Sequence, residues 1–223
     1  MATTSQKKQV ALVSGASSGM GKETAKQLLQ DGLVVYVAAR RIAQMEYLRA
    51  LGAIPLQMDI SVDADIVSAM NTIASDHEGI DVLVNNAGFG MFGTMEDSTL
   101  DDARYRFEVN LLGMARLTQL ALPHMRRQGA GKVINISSMG GKMYTPLGSW
   151  YHATKHAVEG WCDCLSIEMA PFGIQVVIIE PDVIATEWGG MMLEPMLTRS
   201  GQGPYQDMAQ AMAKSMRSGN PTA

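Results

Sequence analysis

Residues 9–31 read QVALVSGASSGMGKETAKQLLQD, and the architecture follows from this stretch. It opens with a short apolar run lacking the inside-outside alternation of a half-buried strand, as expected of a strand covered on both faces in a parallel sheet. From Met20 to Asp31 the pattern is helical. Between the two lies S-G-A-S-S-G-M-G, Ser14 to Gly21, where glycines let the backbone turn tightly and approach a pyrophosphate. The N-terminus of the following helix offers unpaired N–H groups to that negative charge. A strand before and a helix after are the conditions a dinucleotide loop needs. Gly15, Ser17, Ser18, Gly19, Met20 and Gly21 are therefore candidate cofactor-binding residues.

The alternation continues outward from this unit. Strands are predicted over 33–38, 54–58, 81–84, 132–136 and 174–179, and helices over 42–50, 62–76, 101–128 and 150–170. In the helix at 101–128, Phe107, Leu111, Met114, Thr118 and Leu122 recur at spacings of three and four as a core-facing stripe, and Pro123 is expected to kink or end the main body. Strand and helix in alternation give an α/β fold: a doubly wound, parallel Rossmann-type sheet in a single domain over 1–223. Right-handed crossovers bring the carboxyl ends of the strands to one edge, where a ligand crevice belongs. After residue 180 the alternation stops. Residues 183–204 are rich in Gly, Met, Thr and Pro, and 205–217 (YQDMAQAMAKSMR) read as a short amphipathic helix. The segment 183–217 is expected to cover a ligand.

Composition narrows the partners. With 223 residues, an apolar fraction of 47% and a net charge of -4, the chain can build one substantial core and carries no basic stripe for nucleic acid. Its basic runs are the isolated pairs Lys7-Lys8, Arg40-Arg41 and Arg126-Arg127. No uninterrupted apolar stretch is long enough to span a membrane, and MATTSQKKQVALV lacks the apolar region of a signal peptide. Cys162 and Cys164, two apart on a helix, point to different faces and form neither a disulfide nor a zinc site. A reducing, cytoplasmic setting is expected.

A second stretch carries chemistry: SWYHATKHAVEG, residues 149–160. Four residues apart on a helix, Tyr151 and Lys155 share one face. A free tyrosine is a poor acid or base at neutral pH unless a neighbouring positive charge favours its ionised form. Together with glycines at 15, 19 and 21, this pair makes the chain resemble the classical short-chain dehydrogenases/reductases, whose loop is T-G-x-x-x-G-x-G, with Ser14 in place of the threonine. The resemblance runs from about residue 9 to 188 with motifs in the family's order.

The resemblance implies a site. Ser138, thirteen residues before Tyr151, matches the family's catalytic serine, and Asn110 in R-F-E-V-N-L matches an asparagine that binds a water next to the lysine. Tyr151 would serve as general acid in carbonyl reduction and base in alcohol oxidation, and Lys155 would lower its pKa and hold the nicotinamide ribose. Ser138 would steady the developing alkoxide. Asn86, Ala87 and Gly88, in N-N-A-G after the fourth strand, would border the nicotinamide, together with Pro181, Ile184 and Thr186 after the sixth. Asp182 stands where the family has glycine, a departure that would carry a cost if the position needs positive φ. Asp59 matches an adenine-contacting aspartate and also suits a cap of the next turn.

For the nucleotide itself, Ala39 stands where an acid would hold the ribose hydroxyls of NAD, and Arg40 follows it. The sequence thus favours NADP(H), with NAD(H) still admitted, since Ser18 replaces a basic residue common in NADP-binding relatives. His152 and His156 lie four apart but lack a third ligand, so no metal is assigned. Nor is there a G-x-S-x-G elbow for a serine hydrolase.

Phe89, Met91, Met139, Met143, Tyr144, Leu147, Trp188 and Met192 are expected to line an apolar pocket, adaptable through its methionines. The expected reaction interconverts an apolar, steroid-like or lipid-like ketone and its secondary alcohol. The alternatives are reduction of a carrier-bound 3-ketoacyl group and a non-catalytic NADP-binding regulatory protein. The helix at 150–170 is apolar on more than one side, and family members pair through it, which implies a homodimer or homotetramer. The family's seventh strand has no counterpart before Ala223.

Overall fold

A computed structural model describes residues 8–182 and 188–218. Six strands, β1 (Val10–Ser14), β2 (Val34–Ala39), β3 (Ile54–Gln57), β4 (Val82–Asn85), β5 (Gly131–Ile136) and β6 (Ile174–Ile179), form one sheet. All pairings are parallel and the order is β3-β2-β1-β4-β5-β6, the doubly wound arrangement expected. The order reverses between β1 and β4, where Val13 lies opposite both Val37 and Val84. No seventh strand pairs with β6 among the described residues.

Helices cover both faces. On one side α3 (Asp63–His77) and α5 (Gly113–Gln128) pack Ile66, Ile73, Leu117 and Met125 against Leu12, Tyr36 and Leu83. Further along this face α6 (Ser149–Met169) seats Val158 and Cys162 beside Met114, Val176 and Ile178. On the other side α1 (Gly19–Gln30) and α2 (Glu46–Ala50) cover Val13, Val35, Val37 and Val84 with Ala25 and Leu48. β1 and β4 are buried throughout and β2 nearly so. The outer strands β3 and β6 are half-exposed, because burial on both faces needs a neighbouring strand and two helix layers, which edge strands lack.

Three local expectations are corrected. The predicted helix at 101–128 is divided: α4 (Leu100–Phe107) leads through a π turn, Glu108–Leu112, into α5. The extra residue in that turn rotates the buried stripe to Met114, Leu117, Thr118, Ala121 and Met125, leaving Phe107, Leu111 and Leu122 partly covered. Pro123 does not end α5, which runs on to Gln128; Pro123 and Gln119, whose carbonyl loses its partner, lie on the solvent side. The Gly- and Met-rich stretch at 183–204 contains a helix, α7 (Trp188–Ser200), before α8 (Gln206–Ser218).

Candidate active site

The glycine loop closes against the turn after β4. Gly15 and Gly19 take positive φ, and a Cβ on Gly15 would lie 2.8 Å from the Ala87 Cα. Gly21 faces the Asn86 side chain so closely that a Cβ there would collide with it. The Asn86 amide donates to the Ser14 and Gly15 carbonyls at 3.0 and 3.1 Å. Ser14 Oγ accepts from the N–H groups of Asn86 and Ala87, each at 3.1 Å, and is 3.4 Å from the Val84 carbonyl. Loop and turn are thus one stapled unit at the switch point of the sheet. Ser18, extended at the N-cap of α1, makes no side-chain capping bond, so its hydroxyl does not compete for the first N–H groups of that helix. A cradle of glycine backbone at an uncapped helix N-terminus fits a pyrophosphate.

The adenosine end follows from β2 and β3. Arg40, exposed just beyond β2, donates to the Tyr105 hydroxyl at 3.3 Å. Asp59, beyond β3, accepts from the Ser61 N–H at 2.9 Å and its hydroxyl at 2.7 Å, so it does form the turn cap expected of it. Burial alone pushes the Asp59 carboxyl up, but the two Ser61 hydrogen bonds and the charge of Arg40 outweigh it and leave the group below its usual range. Arg40 and Asp59 stand close enough to interact electrostatically.

Tyr151 and Lys155 are both buried on the inner face of α6. Lys155 Nζ donates to the Ile136 carbonyl at the end of β5 at 2.9 Å. Burial pulls its ammonium down to about 8, opposed by the charges of Glu159 and Cys162. Tyr151 is hydrogen-bonded to Ser138. Its phenol lies above its ordinary value because burial dominates, with the Ser138 bond pulling the other way. This corrects the lowered pKa expected from Lys155: removing a phenol from water penalises phenolate more than its surroundings here repay. Ser138 Oγ also accepts from the Gly140 N–H at 3.0 Å, which fixes its rotamer.

Asn110 occupies the π turn and is buried; it hydrogen-bonds the Phe89 backbone and donates to Thr154 Oγ1 at 3.2 Å. Thr154 donates in turn to the Tyr151 carbonyl at 2.8 Å. The chain Phe89, Asn110, Thr154, Tyr151 links the turn after β4 to the helix that carries the phenol. Pro181 is placed by the bond from the Met139 N–H to its carbonyl, at 3.0 Å. Asp182 is exposed and its φ is not positive, so the departure from glycine carries no left-handed strain. Ile184, Thr186 and the Trp188 side chain lie outside the described residues.

Around Tyr151 the expected pocket residues are joined by others that no sequence motif marks. The Phe92 ring packs on Tyr151 with centroids 5.7 Å apart. His152 is stapled from both ring nitrogens: Nε2 accepts from the Thr145 N–H at 3.1 Å, which makes Nδ1, 2.8 Å from the Gly140 carbonyl, the protonated one. Leu147, at φ 64, ends the loop before α6 and accepts from the Gly93 N–H at 2.8 Å. Phe92, Leu147 and Tyr151 are roofed by α7 and α8 through Met196, Ala209 and Ala213, with Met192 and Met212 partly buried alongside. Nearby, a cavity of about 600 Å³ is lined by Met95, Tyr144, Leu147, His152, Tyr205 and Met208 among others. Met139, Met143 and Tyr144 are exposed at this edge. Met139, Met143, Tyr144, Leu147 and Met192 are among the pocket residues expected from the sequence; Phe92, Thr145, Met196, Ala209 and Ala213 join them through contacts between distant segments.

A parallel sheet with a glycine loop at its switch point, together with a buried tyrosine and lysine one helical turn apart on α6, is the arrangement of a dinucleotide-binding α/β fold. The chain belongs to the short-chain dehydrogenase family, whose model matches residues 9–194. It is 37% identical over 174 residues to a 3-ketodihydrosphingosine reductase of Bacteroides thetaiotaomicron, covering 78% of this chain and 63% of that protein. Among solved structures it is similar to a short-chain dehydrogenase from Streptomyces avermitilis, with TM-score 0.80 and 39% identity over 82% of this chain and 68% of that one. It is also similar to a variant of actinorhodin polyketide ketoreductase solved with NADPH, with TM-score 0.79 and 34% identity over 87% of this chain and 76% of that one. The chain spans 63%, 66% and 64% of the length of three curated relatives it matches.

Proposed function

We propose that this protein is an NADP(H)-dependent oxidoreductase that interconverts an apolar, steroid-like or lipid-like ketone and its secondary alcohol. The observation that carries the reading is the buried Tyr151 phenol, hydrogen-bonded to Ser138 and one turn from Lys155, in a sheet whose switch point carries the glycine loop. NADP(H), when bound, supplies or takes up the hydride equivalent. Gly15, Ser17, Ser18, Gly19, Met20 and Gly21 hold its pyrophosphate, Arg40 meets the 2′-phosphate, and Asp59 meets the adenine. Asn86, Ala87, Gly88 and Pro181, with Ile184 and Thr186, border the nicotinamide.

Reduction needs a proton on the substrate oxygen. Tyr151 Oη donates it, and the raised pKa keeps the phenol protonated until the transition state demands the proton. Ser138 Oγ hydrogen-bonds the same oxygen and stabilises its growing negative charge. The Lys155 ammonium provides positive potential behind the phenol, and oxidation runs the same proton in reverse. Phe92, Leu147, Met192 and Met196 surround Tyr151 with apolar surface that excludes water, and 183–217 acts as the substrate-covering segment.

Docking of an acidic carrier finds less support. Arg126 and Arg127 lie at the C-terminal end of α5, just before β5 begins, at the sheet edge opposite the carboxyl ends of the strands. Arg126 stacks over the Phe172 ring at 5.9 Å. A homodimer or homotetramer in a reducing, cytoplasmic compartment completes the proposal. Both cysteines are free, and no helix among the described residues is long and apolar enough to cross a membrane.

The test follows absorbance of the reduced nicotinamide with NADPH and with NADH across steroid-like and straight-chain ketones. The reading requires turnover of at least one apolar ketone with preference for NADPH. Tight cofactor binding without turnover on any carbonyl would favour a sensor of NADP(H) instead.

A further inference from the structure

Glu159 sits one helical turn beyond Lys155 on α6, with 5% of its surface exposed. A carboxylate so deeply covered is costly unless hydrogen bonds repay its lost hydration. Here they do not. Oε1 has no hydrogen-bond partner, and neither does the buried Ser137 hydroxyl close by. Oε2 has the Lys142 ammonium at 3.0 Å, and Lys142 itself is half-exposed and also 3.7 Å from Glu180. Gly141 lets the Ser138 loop pass over the carboxylate: a Cβ there would stand 2.8 Å from Glu159 Cγ and 2.9 Å from Oε1.

Resting on the catalytic reading above, we propose that Glu159 is a positioning residue for the reaction, whose buried carboxylate holds Lys155 in its ammonium form behind Tyr151. The spacing of four puts Glu159 and Lys155 on the same buried face of α6, one turn apart. Burial drives the Lys155 ammonium down, and the charge of Glu159 is the leading opposing influence, ahead of Cys162. The other groups facing this corner are Tyr151 and Asp163 on α6, Lys142 from the loop before it, and Glu180 at the end of β6. Lys142, tethered at the surface, offsets part of the carboxylate's charge. Taking the negative charge away makes either partner of the Tyr151–Lys155 pair lose its proton at lower pH.

The experiment is the pH profile of kcat/KM for ketone reduction in the wild type, Glu159→Gln, Glu159→Asp and Lys142→Met. Glu159→Gln moves the alkaline limb down by about one pH unit, Glu159→Asp restores most of it, and Lys142→Met moves it up. A limb that stays in place in both Glu159→Gln and Lys142→Met, whatever the change in rate, overturns the inference, since a merely structural role alters rate without moving the limb. Should the wild type reduce no carbonyl, the catalytic reading fails first. The ¹³Cε shift of Lys155, assigned with Lys155→Met and titrated by NMR, then decides separately: a lower midpoint in Glu159→Gln supports the link and an unchanged midpoint contradicts it. If Glu159→Gln does not fold, an unmoved or lowered limb in Lys142→Met overturns the proposal by itself.

Discussion

Asn110 grips the backbone of Phe89 from both sides: Oδ1 accepts from its N–H and Nδ2 donates to its carbonyl, each at 3.0 Å. A polar side chain in the middle of a helix is thereby explained, because the π turn swings it into the gap between the turn after β4 and α6. Asn110→Ala leaves both Phe89 groups unpaired. Thermal unfolding should show a loss of about 1–3 kcal/mol, and turnover should fall by about tenfold to a hundredfold as the Phe89–Phe92 wall loses its place. An unchanged melting temperature would refute the clamp.

Ser14 performs a similar task on the cofactor side, accepting from two N–H groups of the next turn with one oxygen. Ser14→Ala removes that shared acceptor inside a fully buried pocket. The expected cost is about 1–3 kcal/mol, read by chemical denaturation, together with weaker cofactor binding. Ser14→Thr, which keeps the hydroxyl, should recover most of both.

Arg40 is the residue proposed to separate the two nucleotides. Its guanidinium lies exposed just beyond β2, next to Tyr105 and within the field of Asp59. Arg40→Ala should weaken NADPH binding by about tenfold and leave NADH nearly untouched. Titration of bound-nicotinamide fluorescence checks this; equal losses for both cofactors would remove Arg40 from the 2′-phosphate.

Lys155 is a place where function opposes stability. Its folded pKa, about 8, lies below that of an unfolded lysine, so between about 8 and 10.4 the unfolded chain binds more protons than the folded one. Stability from this group therefore rises with pH across that window, and below it the full burial penalty applies. Lys155→Met should stabilise the fold at pH 7 by about 1–2 kcal/mol after losing the bond to the Ile136 carbonyl, while abolishing turnover. A lowered melting temperature at pH 7 would contradict this accounting.

Much of this arrangement is written locally. β1 with the glycine loop and α1, and Tyr151 with Lys155, are encoded by residues a few positions apart, so period and spacing reveal them. What remained hidden depends on tertiary surroundings. The π turn at Glu108–Leu112 is held by what Asn110 meets across the interior. Pro123 is harmless because it faces solvent, which no periodicity states. α7 forms despite two glycines and Pro195 because Met196 finds a buried place against Phe92, Leu147 and Tyr151. The direction of the Tyr151 shift is hidden for the same reason: spacing shows a neighbouring charge but not how completely the fold removes water. Glu159 likewise looks in sequence like an ordinary helix glutamate.

The most direct measurement is a single turnover of NADPH with a reactive apolar ketone, comparing the wild type with Tyr151→Phe. The substitution keeps the ring that packs on Phe92 and deletes the proton donor. If Tyr151 is the proton donor, Tyr151→Phe folds and binds NADPH as the wild type does while nicotinamide oxidation slows by about a hundredfold or more. Oxidation at the wild-type rate would show that the proton comes from elsewhere and would contradict the site described here.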